Sequence, residues 1–382
     1  MPGRVRHVGV NLVYLVPGST GGMEIYAREL IPRLAGLDGW SVTAFVNREA
    51  AAARDGPWGE VVPMQVVPVY ARNRVAWVRG EQQYLPGMAD RAGCDVVHSP
   101  ASTAPLRGRA VRVTTIHDLN YKLVPGTHFG LLGLGMGVLV PAAARRSHRV
   151  IVDAASTKRD LVEHLRTPAG KIDVVPLAAT PPAAGAPAAD PADLRRRLGL
   201  GDRAVALSVS ARRPHKNLLR LLDALAQIPR ERRPVLVAPG YPTPHEAELQ
   251  ARAAELGLTG DVVWPAWLDA ADLEGLYALA TLVVFPSLQE GFGLPVLEAM
   301  VRGVPVACSD RSSLPEVAGD AALLFDPEDS GAIRVAIERL LADPAERERL
   351  IRRGRERAAG FTWERTAELT AAAYERALAQ RA

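Results

Sequence analysis

The sequence is poor in cysteine, in lysine and in aromatic residues, and each shortage excludes something. Cys94 and Cys308 are the only cysteines among 382 residues, so neither a disulfide framework nor a four-thiolate metal site can be built, as expected of a reducing compartment. No Asp-x-Asp pair occurs, which removes the usual acidic clamp for a metal–diphosphate complex. Gly-x-Ser-x-Gly, a P-loop, His-Glu-x-x-His and Cys-x-x-Cys are absent as well, and no metal or resident cofactor is expected.

Long apolar runs are missing too. The longest, Phe129 to Ala144, is broken by four glycines and Pro141 and is shorter than the ~20 residues a spanning helix needs. The amino-terminal stretch alternates apolar and polar residues, lacks a small-residue cleavage site and reads as a first strand. A cytoplasmic protein is expected. The formal charge of +4, from 46 basic and 42 acidic residues, is far from the one-sided balance of a nucleic-acid binder. Up to Asp190 there are 21 basic and 15 acidic residues, and beyond it 25 and 27, so the first half is the basic one. Two readings suit the apolar run with Arg145, Arg146 and Arg149 behind it: peripheral contact with the anionic inner face of a membrane, or, as favoured, a core helix with a cationic end. Nothing points to an oligomeric state.

What is present is a βα alternation, met twice. RHVGVNLVYL, SVTAFV, DVVHSP, RVTTIHDL and HRVIVDA read as strands of a first parallel sheet. AVALSVSA, PVLVAPG, VVWPAW, TLVVFPS, PVACSD and AALLF read as strands of a second. The fold class is α/β, with two doubly wound domains: 1–178, a Pro/Ala-rich linker at 179–193, and 194–360. A terminal amphipathic helix, 361–382, opens on Thr362 as its N-cap. Two such domains on a proline-rich hinge imply a cleft that holds a two-part ligand.

Four stretches carry chemistry. In EGFGLPVLE, Glu290 and Glu298 flank a glycine turn and a helix start near Leu294. Free amides there cradle an anion and the two carboxylates accept hydroxyls, which suits a sugar nucleotide; the competing reading is a plain strand–loop–helix. In SARRPHKN, Arg212, Arg213 and Lys216 gather three cations in five residues at a strand end, suited to a diphosphate leaving group. Lysine is rare here, with only residues 122, 158, 171 and 216, so Lys216 stands out where a compact ammonium is wanted. In PGSTGGMEIYARE, Gly18, Gly21 and Gly22 allow close backbone approach to a phosphate, with an ordinary connection equally admissible. In TTIHDLN, His117 reaches a strand end where it can bond a sugar hydroxyl or move a proton, although a satisfied structural histidine is the commoner case; His98 is read as structural.

With these features in this order, the chain resembles the retaining glycosyltransferases of the GT-B fold, family four. EGFGLPVLEAM matches that family's E-x7-E signature, PVACSDRSSLPEVAGDAALLFDPED matches the segment after it, and GGMEIYARELIPRLA and IHDL match its amino-terminal landmarks. The resemblance implies two Rossmann-like domains facing across a cleft, with the last helix crossing back to the first. It implies transfer of a sugar from a nucleoside diphosphate sugar to a hydroxyl acceptor, a small natural product, glycoside or lipid-linked glycan. Glu290 then contacts the donor sugar, the backbone at Phe292, Gly293 and Leu294 holds sugar and phosphate, and Glu298 binds the ribose. Lys216 with Arg212 or Arg213 neutralises the diphosphate, and Gly21 and Gly22 approach it. His117 lines the donor sugar, and the base rests around Trp264 to Trp267. Departures from the family's pattern are Ser210-Ala211, Ala154-Ala155 and Ala266. The alternatives are a sugar-nucleotide hydrolase, epimerase or phosphorylase on the same fold, or a non-catalytic sugar-nucleotide-binding protein.

Overall fold

The computed structural model describes residues 4–53, 56, 58–124, 130–182, 188–266 and 268–381, with the backbone alone for 130–134. The chain divides into two units. Of the described residues, 4–123, 130–177 and 362–381 form unit 1, and 124 and 178–361 form unit 2.

Unit 1 is built on seven strands: β1 Arg6–Leu12, β2 Trp40–Val46, β3 Met64–Val66, β4 Val96–Ser99, β5 Val111–Thr115, β6 Arg149–Val152 and β7 Ile172–Val174. All pair in parallel, in the order β3-β2-β1-β4-β5-β6-β7. Strands covered by helices on both faces must be apolar throughout, and β4 and β6 are buried along their full length. The sequence expectation missed β3 and β7, which are only three residues long and sit at the two edges.

The helix Trp363–Ala379 belongs to unit 1. Thr362 caps it by accepting from Arg365 N at 3.1 Å, Glu364 pairs with Arg33 at 2.7 Å, and Tyr374 OH lies 2.8 Å from His98 Nδ1. His98 is the structural histidine expected, with Nε2 also 2.8 Å from Thr115 Oγ1. Burial pushes it down to about 3, so it stays neutral.

Unit 2 repeats the plan with six strands: β8 Val205–Leu207, β9 Val235–Val237, β10 Val262–Val263, β11 Leu282–Phe285, β12 Val306–Ser309 and β13 Ala322–Phe325. Their order is β10-β9-β8-β11-β12-β13, again all parallel. The order reverses between β8 and β11, and ligands of such sheets bind at that point, beyond the carboxyl ends of the strands. The helix Leu218–Ala226 fills the core below it with Leu218, Leu221, Leu222 and Leu225.

The Pro/Ala-rich stretch departs from a plain linker at its far end. Asp190 caps the helix Pro191–Leu198, and Ala189 N bonds to Ala271 O at 3.0 Å, so the stretch is docked on unit 2 from residue 189. An Asp-Pro pair is a helix-start signal that the surrounding alanines and prolines concealed. Residues 183–187 lie outside the described residues.

The apolar run forms the helix Gly130–Arg146, while Phe129 lies outside the described residues. Val140 and Ala144 pack into the core with Ile116, Val150 and Leu161, as the favoured reading required. Arg149 is no surface cation: it is buried and donates from Nε to Asp173 at 2.7 Å. Among the described residues no helix is long and apolar enough to cross a membrane.

Candidate active site

The exits of β8 and β11 bring Lys216 and Glu290 together. Lys216 ends the turn Pro214–Lys216, and Asn217 follows it in a left-handed conformation, φ 60°. Its amide donates to Pro286 O at 3.1 Å and Pro327 O at 2.7 Å, tying this turn to the loop after β11. Leu288 N bonds to His215 O at 2.9 Å in the same way. Lys216 Nζ then lies 2.6 Å from Glu290 Oε1, with side-chain exposures of 15% and 11%. Of the three cations only Lys216 lies in that turn, and Arg212 and Arg213 precede it.

The loop from Glu290 to Gly293 is held from beneath by two serines that the sequence reading did not single out. Ser312 Oγ donates to Glu290 O at 2.7 Å, and Ser313 Oγ donates to Phe292 O at 2.7 Å. They lie just past β12, and the only signal was a polar pair at a strand end. Gly293 caps the helix Leu294–Val301 with φ 111°, and a Cβ there would lie 2.6 Å from Leu314 Cδ2. Only glycine suits both demands, and no side chain caps the first amides of the helix.

Glu298 sits one turn inside that helix. Tyr277 OH donates to its Oε2 at 3.2 Å, and burial raises its carboxyl against the lowering pull of Arg302. Arg302 is itself paired with Glu274 and stacked 4.7 Å over the Tyr277 ring.

The two candidate arginines part company. Arg212 is 1% exposed, donates to Glu246 Oε2 at 2.8 Å and to Pro265 O at 2.5 Å, and lies 5.6 Å over the Trp264 ring. Arg212 thus turns inward and buttresses the exit of β10, whereas Arg213 stays exposed. Trp264 is part-buried against the core, and Trp267 lies outside the described residues. Ser208, Ser210 and Ser287, at the exits of β8 and β11, have buried hydroxyls without a hydrogen-bond partner among the described residues.

In unit 1, Gly21 caps the helix Gly22–Ala35 with φ 56°, and a Cβ at Gly22 would meet nothing within 4 Å. Among the described residues no packing demands glycine at 22. The loop is organised by Glu24, which accepts from Gly18 N at 2.9 Å and from Arg28 Nη2 at 2.7 Å.

His117 follows β5. Its Nε2 is 2.9 Å from Pro100 O and its Nδ1 is 2.7 Å from Asp153 Oδ2. A carbonyl only accepts, so Nε2 carries a proton, and a second proton is shared between Nδ1 and Asp153. Burial alone would lower the histidine, but the Asp153 charge and hydrogen bond outweigh it and raise it. Both ring nitrogens are therefore engaged within unit 1. Asp153, the first residue past β6, was missed because a single acid at a strand end carries no pattern of its own. Among the described residues no group of three or more His, Cys, Asp and Glu is placed to hold a metal ion.

Residues 191–357 match the model of glycosyl transferases group 1, and residues 20–179 match that of glycosyltransferase family 4. A relative, the O-antigen chain mannosyltransferase B of Escherichia coli, is 32% identical over 283 residues, covering 73% of this chain and 74% of that protein. The chain is a group 1 glycosyltransferase. Its two Rossmann-like domains have the GT-B fold of solved relatives. Sucrose-phosphate synthase from Thermosynechococcus elongatus aligns with a TM-score of 0.78 at 23% identity, over 98% of this chain and all of that one. Anabaena HepE, solved in complex with UDP-glucose, aligns with a TM-score of 0.73 at 19% identity, over 96% of this chain and 98% of that one. This glycosyltransferase carries its E-x7-E pair, Glu290 and Glu298, on either side of the helix start just described.

Proposed function

We propose that this glycosyltransferase moves a sugar from a nucleoside diphosphate sugar to a hydroxyl acceptor, with retention of configuration and without a metal ion. The observation that carries the reading is the Lys216–Glu290 pair, 2.6 Å apart at the switch point of the unit 2 sheet and beside a helix start that no side chain caps. Lys216, exposed Arg213 and the Gly293–Leu294 amides supply the positive charge that a departing diphosphate needs. Glu290 takes the donor sugar's hydroxyls once Lys216 turns to phosphate, and Glu298, held by Tyr277, takes the ribose. The unspent hydroxyls of Ser208, Ser210 and Ser287 are further donors at the same strand ends. The base rests by Trp264, whose loop Arg212 supports.

From unit 1, Gly21, Gly22 and His117 serve the same reaction as the family resemblance implies. With both nitrogens engaged, His117 acts as a fixed charge, not as a mobile base. Among the described residues of unit 2 no side chain stands out as a nucleophile, so the leaving phosphate accepts the acceptor's proton as attack occurs on the face it leaves. A GDP-mannose-dependent mannosyltransferase relative, 30% identical over 245 residues, and the UDP-glucose complex support GDP-mannose and UDP-glucose as the first donors to try. A thermal-shift panel of UDP, GDP, ADP and dTDP sugars identifies the donor, because selective binding raises the melting temperature. Proton NMR of the product then decides stereochemistry: an inverted anomer refutes retention, and loss of turnover in EDTA refutes metal independence. Donor consumed without any acceptor supports the hydrolase reading instead.

A further inference from the structure

Glu81 is a buried carboxyl that the reading above leaves without a role. It is 1% exposed and lies in the turn Gly80–Tyr84, a single wide π-helical turn set between two α-helices. Gly80 permits that depth, because a Cβ there would lie 2.7 Å from Val69 Cγ2 and 3.0 Å from Val13 Cγ1. Oε1 accepts from Asn11 Nδ2 at 2.8 Å and from Thr103 Oγ1 at 2.9 Å, and Oε2 accepts from Gln82 Nε2 at 3.1 Å. The three donors are neutral, and no charged group is among those acting on it.

Two of these donors, Asn11 and Thr103, come from different strands of unit 1 or their exits, and Gln82 adjoins Glu81 in the turn. Asn11 lies in β1, donates also to Ser99 of β4 at 3.2 Å, and accepts from Val13 N at 3.1 Å. Thr103 lies in the loop after β4, and Gln82 grips that loop twice, donating to Ala104 O at 2.9 Å and accepting from Leu106 N at 3.0 Å. The same loop contains Pro100, whose carbonyl takes the Nε2–H of His117.

We infer that Glu81 is a positioning residue: its carboxyl clamps the loop leaving β1, which carries Gly21 and Gly22, to the loop leaving β4, which fixes His117. The catalytic consequence rests on the roles proposed above for those residues, whereas the clamp stands on the hydrogen bonds. Burial without a cation pushes Glu81 up to about 7. An acid raised in the closed arrangement favours its neutral form there, and a neutral carboxyl still offers Oε1 to Asn11 and Thr103. The clamp therefore weakens as pH rises from the ordinary carboxyl value of 4.5 towards about 7, and is constant beyond.

Amide hydrogen exchange on the full chain between pH 5.5 and 8.5, corrected for the intrinsic pH dependence of exchange, tests this at residues 13–22 and 99–106. Wild-type protection is expected to fall about tenfold by pH 7.5 and then level off. Glu81→Gln keeps an acceptor oxygen but cannot ionise, so its protection should stay flat with pH and match wild type at pH 5.5. Thr103→Val removes a donor to the charged form and should move the levelling point to higher pH, a readout that needs no change at Glu81. Turnover is measured beside it with GDP-mannose or UDP-glucose, whichever wild type consumes. There Glu81→Ala should lose about tenfold or more in kcat with KM little changed, and Glu81→Gln should restore it. Identical exchange profiles in wild type, Glu81→Gln and Thr103→Val overturn the clamp. A normal kcat in folded Glu81→Ala overturns the positioning role. If neither sugar is consumed, the choice of donor fails while the exchange result still decides the clamp.

Discussion

Lys216 Nζ and Glu290 Oε1, brought from loops 74 residues apart in the chain, stand 2.6 Å from each other at the exits of neighbouring strands. The pair neutralises itself in this arrangement. A donor must exchange it for two better partners, phosphate oxygens for the ammonium and sugar hydroxyls for the carboxylate. That exchange puts both groups at the reacting end of the donor, and it separates what each contributes.

Replacing Lys216 by Met should cost about a hundredfold or more in kcat and weaken binding of free UDP and GDP, as loss of a charge at a leaving group does. Glu290→Gln should cost turnover comparably yet leave binding of the free nucleotide nearly unchanged, since its partners are on the sugar. Titration calorimetry with the nucleotide alone distinguishes them, and undiminished nucleotide binding by Lys216→Met counts against the assignment.

The two arginines should behave oppositely. Arg212→Ala strands Glu246 and empties the space over Trp264, so urea denaturation should show a loss of about 3 kcal/mol. Arg213→Ala, at an exposed site, should change stability by less than about 0.5 kcal/mol while weakening diphosphate binding. Equal stability losses would contradict the division of labour.

Gly293→Ala should cost about 2 kcal/mol or more, because a side chain at φ 111° is strained and its Cβ meets Leu314. A Leu314→Ala change in the same chain should recover the steric part and leave the backbone strain, which the melting temperatures of the single and double variants report.

The pH dependence of His117 follows from Asp153. His117 is raised above 6.5 in the folded protein, so the stabilisation it gives is complete below 6.5 and is lost as pH climbs through the raised value. Asp153→Asn removes the charge that offsets burial, and the imidazole should then titrate below 6.5. Side-chain NMR of His117 across pH 5 to 9 reads this directly. An unmoved titration would show that Asp153 does not set its charge.

Much of the fold was legible because a parallel sheet buried on both faces must be written in short apolar strands, as TLVVFPS and HRVIVDA are. The strands that escaped, β3 and β7, are three-residue edges, too short to show a period. The docked residues 189–193 escaped because an Asp-Pro cap was hidden in a low-complexity stretch. Of the site, Glu290, Glu298, Lys216 and the glycine at the helix start are local features, fixed by spacing along the chain.

The sequence alone determined the family, the two-sheet plan and the loops that bear the charges, because all are encoded in spacings within a few residues of one another. Only the tertiary structure decided that Lys216 faces Glu290, that Arg212 turns inward while Arg213 does not, and that His117 is held by Asp153 and Pro100. Those outcomes depend on which strand lies beside which, and on whether a polar side chain finds its partner inside the protein or outside it. Each partner comes from a distant stretch of the chain, and neighbouring residues carry no trace of it.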